Sequence, residues 1–251
     1  MIKKISDVYN IGDLIINSIS LKEVIEYIKV NKNKVNGYIC VTNTRTAYLA
    51  NKNTSYCTIQ NNSLLTIPDG MPLVWLGKLS GNKKLTRIAG PELFQKIMSD
   101  SNSNIKHFLL GDTPEVLNKL TEKCKNVLNS SIVGSYSPPF KSVNLYDYKL
   151  IAEEINESQA DVVWLALGSP KQDVFASKLM EYTNHKIIIN VGAAFRFLLG
   201  EYNMPSMTIQ KIGMTGVYWR FKQKPKLFLT EYPKYFLFIL KHSVIKILFK
   251  K

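Results

Sequence analysis

Residues Asp161–Asp173 read DVVWLALGSPKQD, and this stretch decides the fold class. A run of large apolar residues ends in Gly168–Pro170, and Lys171 and Gln172 then open a segment with helical spacing. Glycine permits a close backbone approach, serine can cap a helix, and proline suits a first helical turn. The stretch therefore predicts a buried strand, a tight turn and a helix.

The same alternation of strand and helix extends on both sides of this stretch. The predicted strands are Gly37–Thr42, Ser63–Ile67, Ile105–Leu110, Val162–Leu167 and Lys186–Val191. The predicted helices are Ser20–Lys32, Pro91–Ser99, Thr113–Val127, Leu145–Ile155 and Lys171–Tyr182. Continuous apolar strands that alternate with amphipathic helices favour a parallel sheet covered on both faces. We therefore predict an α/β fold with a mostly parallel, Rossmann-like sheet sandwiched by helices.

The distribution of charge marks a boundary near residue 203. The 251 residues have a net charge of +14, and residues 204–251 hold +9 of it, from nine lysines and Arg220 against Glu231. The same segment is rich in phenylalanine, tyrosine and leucine. We predict an α/β domain over residues 1–203 that holds the site. A basic, amphipathic helical C-terminal appendage, rich in aromatic residues, is expected over residues 204–251.

A basic and aromatic segment suits the headgroup layer of an anionic membrane. Its rings enter the interface while each lysine near lipid phosphates contributes about 1 kcal/mol. The alternative is a helix that packs its apolar face on the core and leaves a basic face in water. No nucleic-acid motif accompanies the charge, so nucleic acid is not an expected partner. An exposed apolar surface also favours self-association, which makes a homo-oligomer a further expectation.

The composition argues against several other classes of protein. No secretory signal and no apolar run long enough to span a bilayer is found, which favours a soluble or peripherally attached protein. Cys40, Cys57 and Cys124 lie far apart, so neither a disulfide framework nor a structural zinc site is expected, and a reducing cytosol is the expected compartment. The histidines are scattered and no D-x-D occurs, so no metal is expected. Dinucleotide and P-loop glycine patterns are absent, and no cofactor is expected.

Ligands of open α/β sheets bind beyond the carboxyl ends of the strands, so the polar residues there are candidates. Asn43, after the first of these strands, can donate and accept at a sugar or base, or cap the next helix. Asp69, within Pro68–Gly70, can act as a general base or as a helix cap in a turn. Arg87 precedes a Gly-Pro helix start, where it can hold phosphate or form an ion pair with a nearby acid.

Two further loops have the same position after a strand. Gly111 lies in a strand–turn–helix junction that can cradle a nucleotide. Gln172 is uncharged and both donates and accepts, so it suits a sugar hydroxyl or acetamido group if it projects above the sheet. The alternative is a solvated glutamine at a plain strand–turn–helix junction.

Together these residues resemble the WecG/TagA/CpsF family of bacterial glycosyltransferases (glycosyltransferase family 26). The resemblance covers about residues 13–235, and the motifs occur in the family's order. They are Asn43, Pro68–Gly70, Arg87–Gly90, Phe108–Gly111, Gly168–Gln172 and Val191–Gly192. The combination of Pro-Asp-Gly with Gly-Ser-Pro-Lys-Gln is the most specific part of the resemblance.

The resemblance implies a metal-independent, inverting transfer of a sugar from a UDP-sugar to an undecaprenyl-diphosphate-linked saccharide. The sugar would be N-acetylmannosamine, its uronic acid or another hexose, added during synthesis of a surface polysaccharide or teichoic acid. The enzyme would be cytoplasmic and peripherally attached to the inner face of the cell membrane. A UDP-sugar hydrolase and a non-catalytic, nucleotide-binding adaptor at the membrane are the alternative functions.

The resemblance also assigns roles to residues. It implies that Asp69 is the general base. The residues that it places at the substrates are Thr42, Asn43, Arg87, Gly111, Gly168, Ser169, Pro170, Lys171, Gln172 and Arg220. Relatives close the site with several arginines of the appendage, whereas this chain offers Arg220 and lysines, which lack the bidentate fork. Arg196 stands where relatives have an acid, which leaves the donor sugar open and favours an anionic one.

Overall fold

The computed structural model describes residues 6–83, 85–202, 205–206, 208–209, 218, 221–222 and 225–248. The strands are β1 (Asp7–Ile11), β2 (Leu14–Ser18), β3 (Gly37–Thr42), β4 (Leu65–Pro68), β5 (Lys106–Gly111), β6 (Ser131–Tyr136), β7 (Val162–Ala166) and β8 (Ile187–Asn190). The described helices are α1 (Leu21–Asn31), α2 (Thr44–Lys52), α3 (Thr54–Asn61), α4 (Met71–Leu79), α5 (Gly90–Met98), α6 (Pro114–Asn126), α7 (Tyr148–Glu157), α8 (Lys171–Leu179), α9 (Ala194–Leu199) and, near the C-terminus, α10 (Pro225–Leu248).

Six strands form one parallel sheet in the order β4-β3-β8-β7-β5-β6. Every residue of β3, β7 and β8 is buried, because these central strands are covered by helices on both faces. This arrangement confirms the predicted α/β fold. Because the strands are parallel, the loops after β3, β4, β7 and β8 lie side by side at the carboxyl ends of the strands.

The side chains of β7 show how alternation builds the two layers. Trp164 packs on one face of the sheet, where its ring contacts Phe94 with centroids 4.9 Å apart. Val163 and Leu165 point to the other face and join a second apolar cluster, which includes Phe175 of α8. Because both faces of the strand are buried, its sequence is continuously apolar and has no polar alternation.

The structure adds elements that the sequence analysis did not predict. An antiparallel hairpin of β1 and β2 turns at Gly12, whose φ is +60°. Its inward residues, Tyr9, Ile11, Leu14 and Ile16, are all buried. Strand β6 lies at the sheet edge, and α3, α4 and α9 are short helices that the pattern also left out, whereas α2 is the helix that Asn43 was expected to cap. The predicted helix at Leu145–Ile155 begins instead at Tyr148.

Helix α10 confirms the predicted C-terminal helix and packs against α2 and α4. Tyr48 of α2 contacts the rings of Tyr235 and Phe238, with centroids 5.4 Å and 5.7 Å apart. A second set of apolar side chains on α10 is exposed: Leu229, Phe236, Leu237, Leu240, Val244, Ile245, Ile247 and Leu248. None of the helices in the described ranges is both long and apolar enough to cross a membrane.

Candidate active site

Asp69 lies at the carboxyl edge of the sheet, directly after β4. Its backbone N–H donates to the carbonyl oxygen of Thr42 over 2.7 Å, which ties the β4 loop to the end of β3. The Asp69 side chain is 27% exposed, and its Oδ1 atom lies 3.5 Å from Nη1 of Arg87. The structure therefore brings together the acid and the arginine that the sequence predicted as separate candidates.

The environment of Asp69 keeps its carboxyl group partly protonated near neutral pH. Partial burial raises the pKa of the carboxyl to about 7, and the charge of Glu92 adds to the rise, while the charge of Arg87 and the backbone N–H of Gly90 oppose it. A carboxyl group with this pKa is well matched to accept a proton near pH 7. The geometry and the pKa thus suit a general base, although Arg87 is also positioned as the ion-pair partner of the acid.

Gly90 begins α5 beside Asp69, and the space around its Cα is tight. A Cβ atom at this position would lie 3.0 Å from the carbonyl oxygen of Val191, which follows β8. The close approach brings the start of α5 to the β8 loop. Since a helix start presents free N–H groups, Gly90 and Arg87 provide positive groups next to Asp69. Glu92 in the first turn of α5 adds a negative charge.

Thr42 is the last residue of β3 and Asn43 follows it, and both are held by hydrogen bonds within the protein. Asn43 caps α2, because its Oδ1 accepts from the N–H of Thr46 over 3.1 Å. These capping bonds use Oδ1 and the backbone, and the Nδ2 group takes no part in them. Thr42 is buried, and its hydroxyl donates to Oε1 of Gln60 over 2.7 Å. The helix cap that was one alternative for Asn43 is therefore present.

Gln172 departs from the sequence prediction, which had its side chain project above the sheet. The residue is only 2% exposed, its Oε1 accepts from the N–H of Gly168 over 3.0 Å, and its Nε2 donates to Oγ of Ser169 over 2.9 Å. The amide thus closes the Gly168–Gln172 loop on itself. An amide completes this loop because it can accept from the backbone and donate to a hydroxyl at the same time.

Lys171 is engaged with the segment between β6 and α7. Its Nζ donates to Oη of Tyr146 over 2.8 Å and lies 4.8 Å from the ring centroid of Phe140, whose side chain is fully exposed. These residues border an open groove of about 510 Å³. The full lining is Phe140, Lys141, Ser142, Val143, Pro170, Lys171 and Val174. The predicted residues Pro170 and Lys171 therefore face this groove.

Gly111 ends β5 and Arg196 lies in α9, and both have close partners within the protein. A Cβ atom on Gly111, whose φ is +111°, would lie 2.7 Å from the carbonyl oxygen of Ala166, so the position requires glycine. Arg196 binds Asp112 through two hydrogen bonds of 3.0 and 2.6 Å, and it pairs with Glu201 at 3.0 Å. Two carboxylates thus offset the guanidinium, which removes the argument from Arg196 for an anionic donor sugar.

Two features of the site were not predicted from the sequence. Arg45, in the first turn of α2, donates from Nη1 to the carbonyl oxygen of Ser169 over 2.8 Å. Asp173 is buried directly behind Gln172. Only their positions beside predicted motifs hinted at a role. Arg220 lies outside the described residues, and within those residues no three His, Cys, Asp or Glu side chains are grouped to hold a metal.

Comparison with known proteins gives a consistent result. Residues 9–250 match the family described as Glycosyl transferase WecG/TagA/CpsF family. The chain is 25% identical over 233 residues to an N-acetylglucosaminyldiphosphoundecaprenol N-acetyl-beta-D-mannosaminyltransferase of Bacillus subtilis strain 168, covering 89% of this chain and 88% of the relative. A protein of the same name from Bacillus spizizenii strain W23 is 24% identical over 220 residues, covering 86% of this chain and 82% of the relative.

Proposed function

Since the chain belongs to the WecG/TagA/CpsF family and is a glycosyltransferase, we propose that it moves a sugar from a UDP-sugar to an undecaprenyl-diphosphate-linked saccharide. Both relatives are named for transfer of an N-acetylmannosaminyl group to N-acetylglucosaminyldiphosphoundecaprenol. Their names favour N-acetylmannosamine as the first donor sugar to test here, ahead of its uronic acid or another hexose. The observation that carries the proposal is Asp69, a carboxyl with a pKa of about 7 next to Arg87.

The proposed reaction is a single displacement with inversion. The acceptor hydroxyl oxygen attacks the anomeric carbon from the face opposite UDP, and Asp69 takes the hydroxyl proton. One carbon–oxygen bond forms as the bond to UDP breaks, and the bonding electrons leave with UDP. A base with a pKa near 7 is largely unprotonated at slightly alkaline pH and still able to bind the proton that it receives.

The departing UDP gains negative charge, which the proposed metal-independent reaction meets with groups of the protein. Arg87 provides a full positive charge, and the start of α5 at Gly90 provides backbone N–H groups. Asn43 and the Gly168–Gln172 loop, next to these groups, are proposed to position the sugar and the nucleotide. Arg220 and the lysines of residues 204–251 are proposed to close over the diphosphate.

We also propose that residues 204–251 form an appendage that attaches the enzyme to the inner face of the cell membrane. The exposed apolar set of α10 supports this proposal, because it would enter the interfacial layer of a bilayer. Exposed lysines on the same helix, including Lys226 and Lys241, would meet anionic headgroups. Attachment would bring the α/β domain of residues 1–203 to the place where a lipid-linked acceptor resides.

The test is release of UDP from a panel of UDP-sugars in EDTA, with and without a short-chain polyprenyl-diphosphate-linked N-acetylglucosamine. We expect release from one donor that depends on the acceptor, with a product of inverted anomeric configuration. The Asp69→Asn variant is the matched control, since it keeps the shape of the side chain. Equal release without acceptor would indicate a hydrolase, and UDP binding without any release would indicate a non-catalytic adaptor; either result would overturn the proposal.

A further inference from the structure

Asp173 is a buried carboxyl group beneath the candidate site. It follows Gln172 in the first turn of α8, and its side chain is 1% exposed. Its Oδ2 accepts from Oη of Tyr56 over 2.5 Å, and its Oδ1 accepts from Nδ2 of Asn190 over 2.8 Å. One side chain therefore joins α8 to α3 and to the end of β8.

The first set of bonds leads from Asp173 to the backbone of Asp69. Gln60 donates to Oη of Tyr56 over 2.7 Å and accepts from the hydroxyl of Thr42 over 2.7 Å. Every hydroxyl and amide in this series donates toward Asp173, so the series has one direction and ends on an acceptor. The carbonyl of Thr42 in turn accepts the N–H of Asp69.

The second set of contacts leads from Asp173 to the carboxyl group of Asp69. Asn190 is the last residue of β8, and Val191 follows it with its carbonyl oxygen against Gly90. The backbone N–H of Gly90 lowers the pKa of the Asp69 carboxyl, so the start of α5 acts on that side chain. The two sets approach Asp69 from different sides, one at its backbone and one at its side chain.

We propose that Asp173 is a positioning residue that holds the Asp69 carboxyl in place for proton transfer. This inference rests on the proposed function. It acts through Tyr56, Gln60 and Thr42 on one side, and through Asn190 and the Val191–Gly90 contact on the other. Burial raises the pKa of Asp173 to about 6, so the fold keeps an ionisable group where its charge is costly. A displacement of about 1 Å at the reacting group can lower a rate by about 100-fold.

Two conservative variants separate the effect of losing both sets of contacts from the effect of losing the first set alone. Asp173→Asn presents a single oxygen and therefore cannot accept from both Tyr56 and Asn190 as the carboxylate does. Tyr56→Phe keeps the ring and removes only the first set of bonds. We expect each variant to lower kcat for acceptor-dependent UDP release by about 10- to 100-fold, with KM for the UDP-sugar changed by less than about threefold.

Asp161 offers a matched control. It is also a buried carboxyl, but it lies at the amino edge of the sheet, where Oδ2 accepts from the N–H of Lys106 over 2.8 Å. Asp161→Asn should leave kcat close to the wild-type value. The assay is run below the melting temperature of this variant, so that a loss of stability does not lower the rate. Equal kcat for Asp173→Asn and the wild type, or equal losses in Asp173→Asn and Asp161→Asn, would overturn the proposal.

Hydrogen exchange gives a second measurement that does not depend on activity. In Asp173→Asn and Tyr56→Phe, amides in peptides that cover Asp69 and Gly90 should exchange faster, while those around Lys106 should not. Asp161→Asn should give the opposite pattern. Faster exchange spread evenly over the sheet would show a purely structural role for Asp173. An inactive wild type would overturn the proposed function alone, and the exchange pattern would still decide whether Asp173 positions Asp69.

Discussion

Arg45 donates a 2.8 Å hydrogen bond to the carbonyl oxygen of Ser169, and this bond joins the start of α2 to the Gly168–Gln172 loop. The same arginine faces α10. The pKa of Glu231 is lowered by hydrogen bonds from Tyr235 and Lys234 and by the charge of Arg45. Glu231 is the single acid of residues 204–251. Arg45 therefore connects α10 with a loop of the candidate site.

Removing this connection should weaken catalysis more than folding. In Arg45→Gln, the Ser169 carbonyl loses a charged donor, which contributes about 1.5–3 kcal/mol in typical cases. We expect kcat/KM for acceptor-dependent UDP release to fall by at least about tenfold. Lys52→Gln is the control, because Lys52 lies on the same helix and contacts the ring of Tyr48. Similar activity of the two variants would contradict a role for the bond.

The parts of the fold that sequence could predict are those whose pattern follows from burial on both faces. Strands β3, β7 and β8 are continuously apolar because helices cover both faces, and all three were predicted. Strand β6 borders only β5 and is partly exposed, so its sequence SIVGSY mixes polar and small residues. The β1–β2 hairpin has alternating buried residues around Gly12, a pattern that is short and easily overlooked.

In the candidate site, too, some features could be predicted from the sequence and others could not. Asp69 and Arg87 were predicted because each lies at a strand end or a helix start, and topology then brings them together. The direction of the Gln172 amide was not predictable, because it depends on bonds within its own loop. The bond between Tyr56 and Asp173 joins residues 117 positions apart, and no local sequence pattern predicts such a contact.

The pH dependence of the reaction should report the state of Asp69. The base acts only when unprotonated, and burial raises its pKa to about 7. We expect kcat/KM to rise about tenfold per pH unit below that value and to level off above it. Asp69→Asn should lower kcat by at least about 100-fold on the plateau above pH 7 and should abolish the acid limb of the profile. A profile that is flat from pH 5 to about 8 would contradict the general-base role.

The stability of the same variant should change with pH in a defined direction. The folded pKa of Asp69 lies above the value for an unfolded aspartate, so its ionisation destabilises the folded state as pH rises from about 4 to 7. Below that window the carboxyl is protonated in both states and has no effect. Asp69→Asn should therefore raise Tm at pH 8 relative to the wild type, with the two equal near pH 4. A lower Tm at pH 8 would show that Asp69 stabilises the fold.

Arg87 should affect both the rate and the pKa of the base. Its charge opposes the rise in the pKa of Asp69, so Arg87→Gln should move the acid limb of the pH–rate profile to higher pH. The variant should also lose about two to three orders of magnitude in kcat, because it lacks the charge proposed to meet the departing UDP. Measuring kcat and the pH of the acid limb, each at saturating donor, separates the effect on the rate from the effect on the pKa of Asp69. An unchanged limb would show that Arg87 does not influence Asp69.

Two glycines with positive φ form a matched pair for stability. A Cβ atom at Gly111 would lie 2.7 Å from the Ala166 carbonyl oxygen, whereas one at Gly168 would have no neighbour within 4 Å. Both alanine variants suffer backbone strain, but only Gly111→Ala adds a steric clash. We expect Gly111→Ala to lower the free energy of unfolding by about 1–3 kcal/mol more than Gly168→Ala, measured by urea denaturation. Equal losses would place the cost in the backbone conformation alone.

The exposed apolar set of α10 should determine membrane binding. Phe236 and Leu237 are 69% and 62% exposed, and Leu240 lies close to them on the helix. Changing these three residues to serine should lower co-sedimentation with vesicles of phosphatidylglycerol and phosphatidylcholine by at least about tenfold. Activity on a water-soluble short-chain acceptor should persist. Leu150→Ser is the control, since Leu150 is an exposed apolar residue of α7.

The contribution of charge to that binding can be separated from the apolar contribution. Exposed lysines of α10 would act on lipid phosphates through a screened interaction, so added salt should weaken binding to phosphatidylglycerol vesicles. Binding to pure phosphatidylcholine should be weaker at every salt concentration, because only the apolar set remains to hold the helix. If the wild type fails to bind either vesicle, α10 is a helix that packs on the core and leaves its outer face in water. Acceptor-dependent activity would then be unchanged by the triple serine variant even when the acceptor is embedded in vesicles.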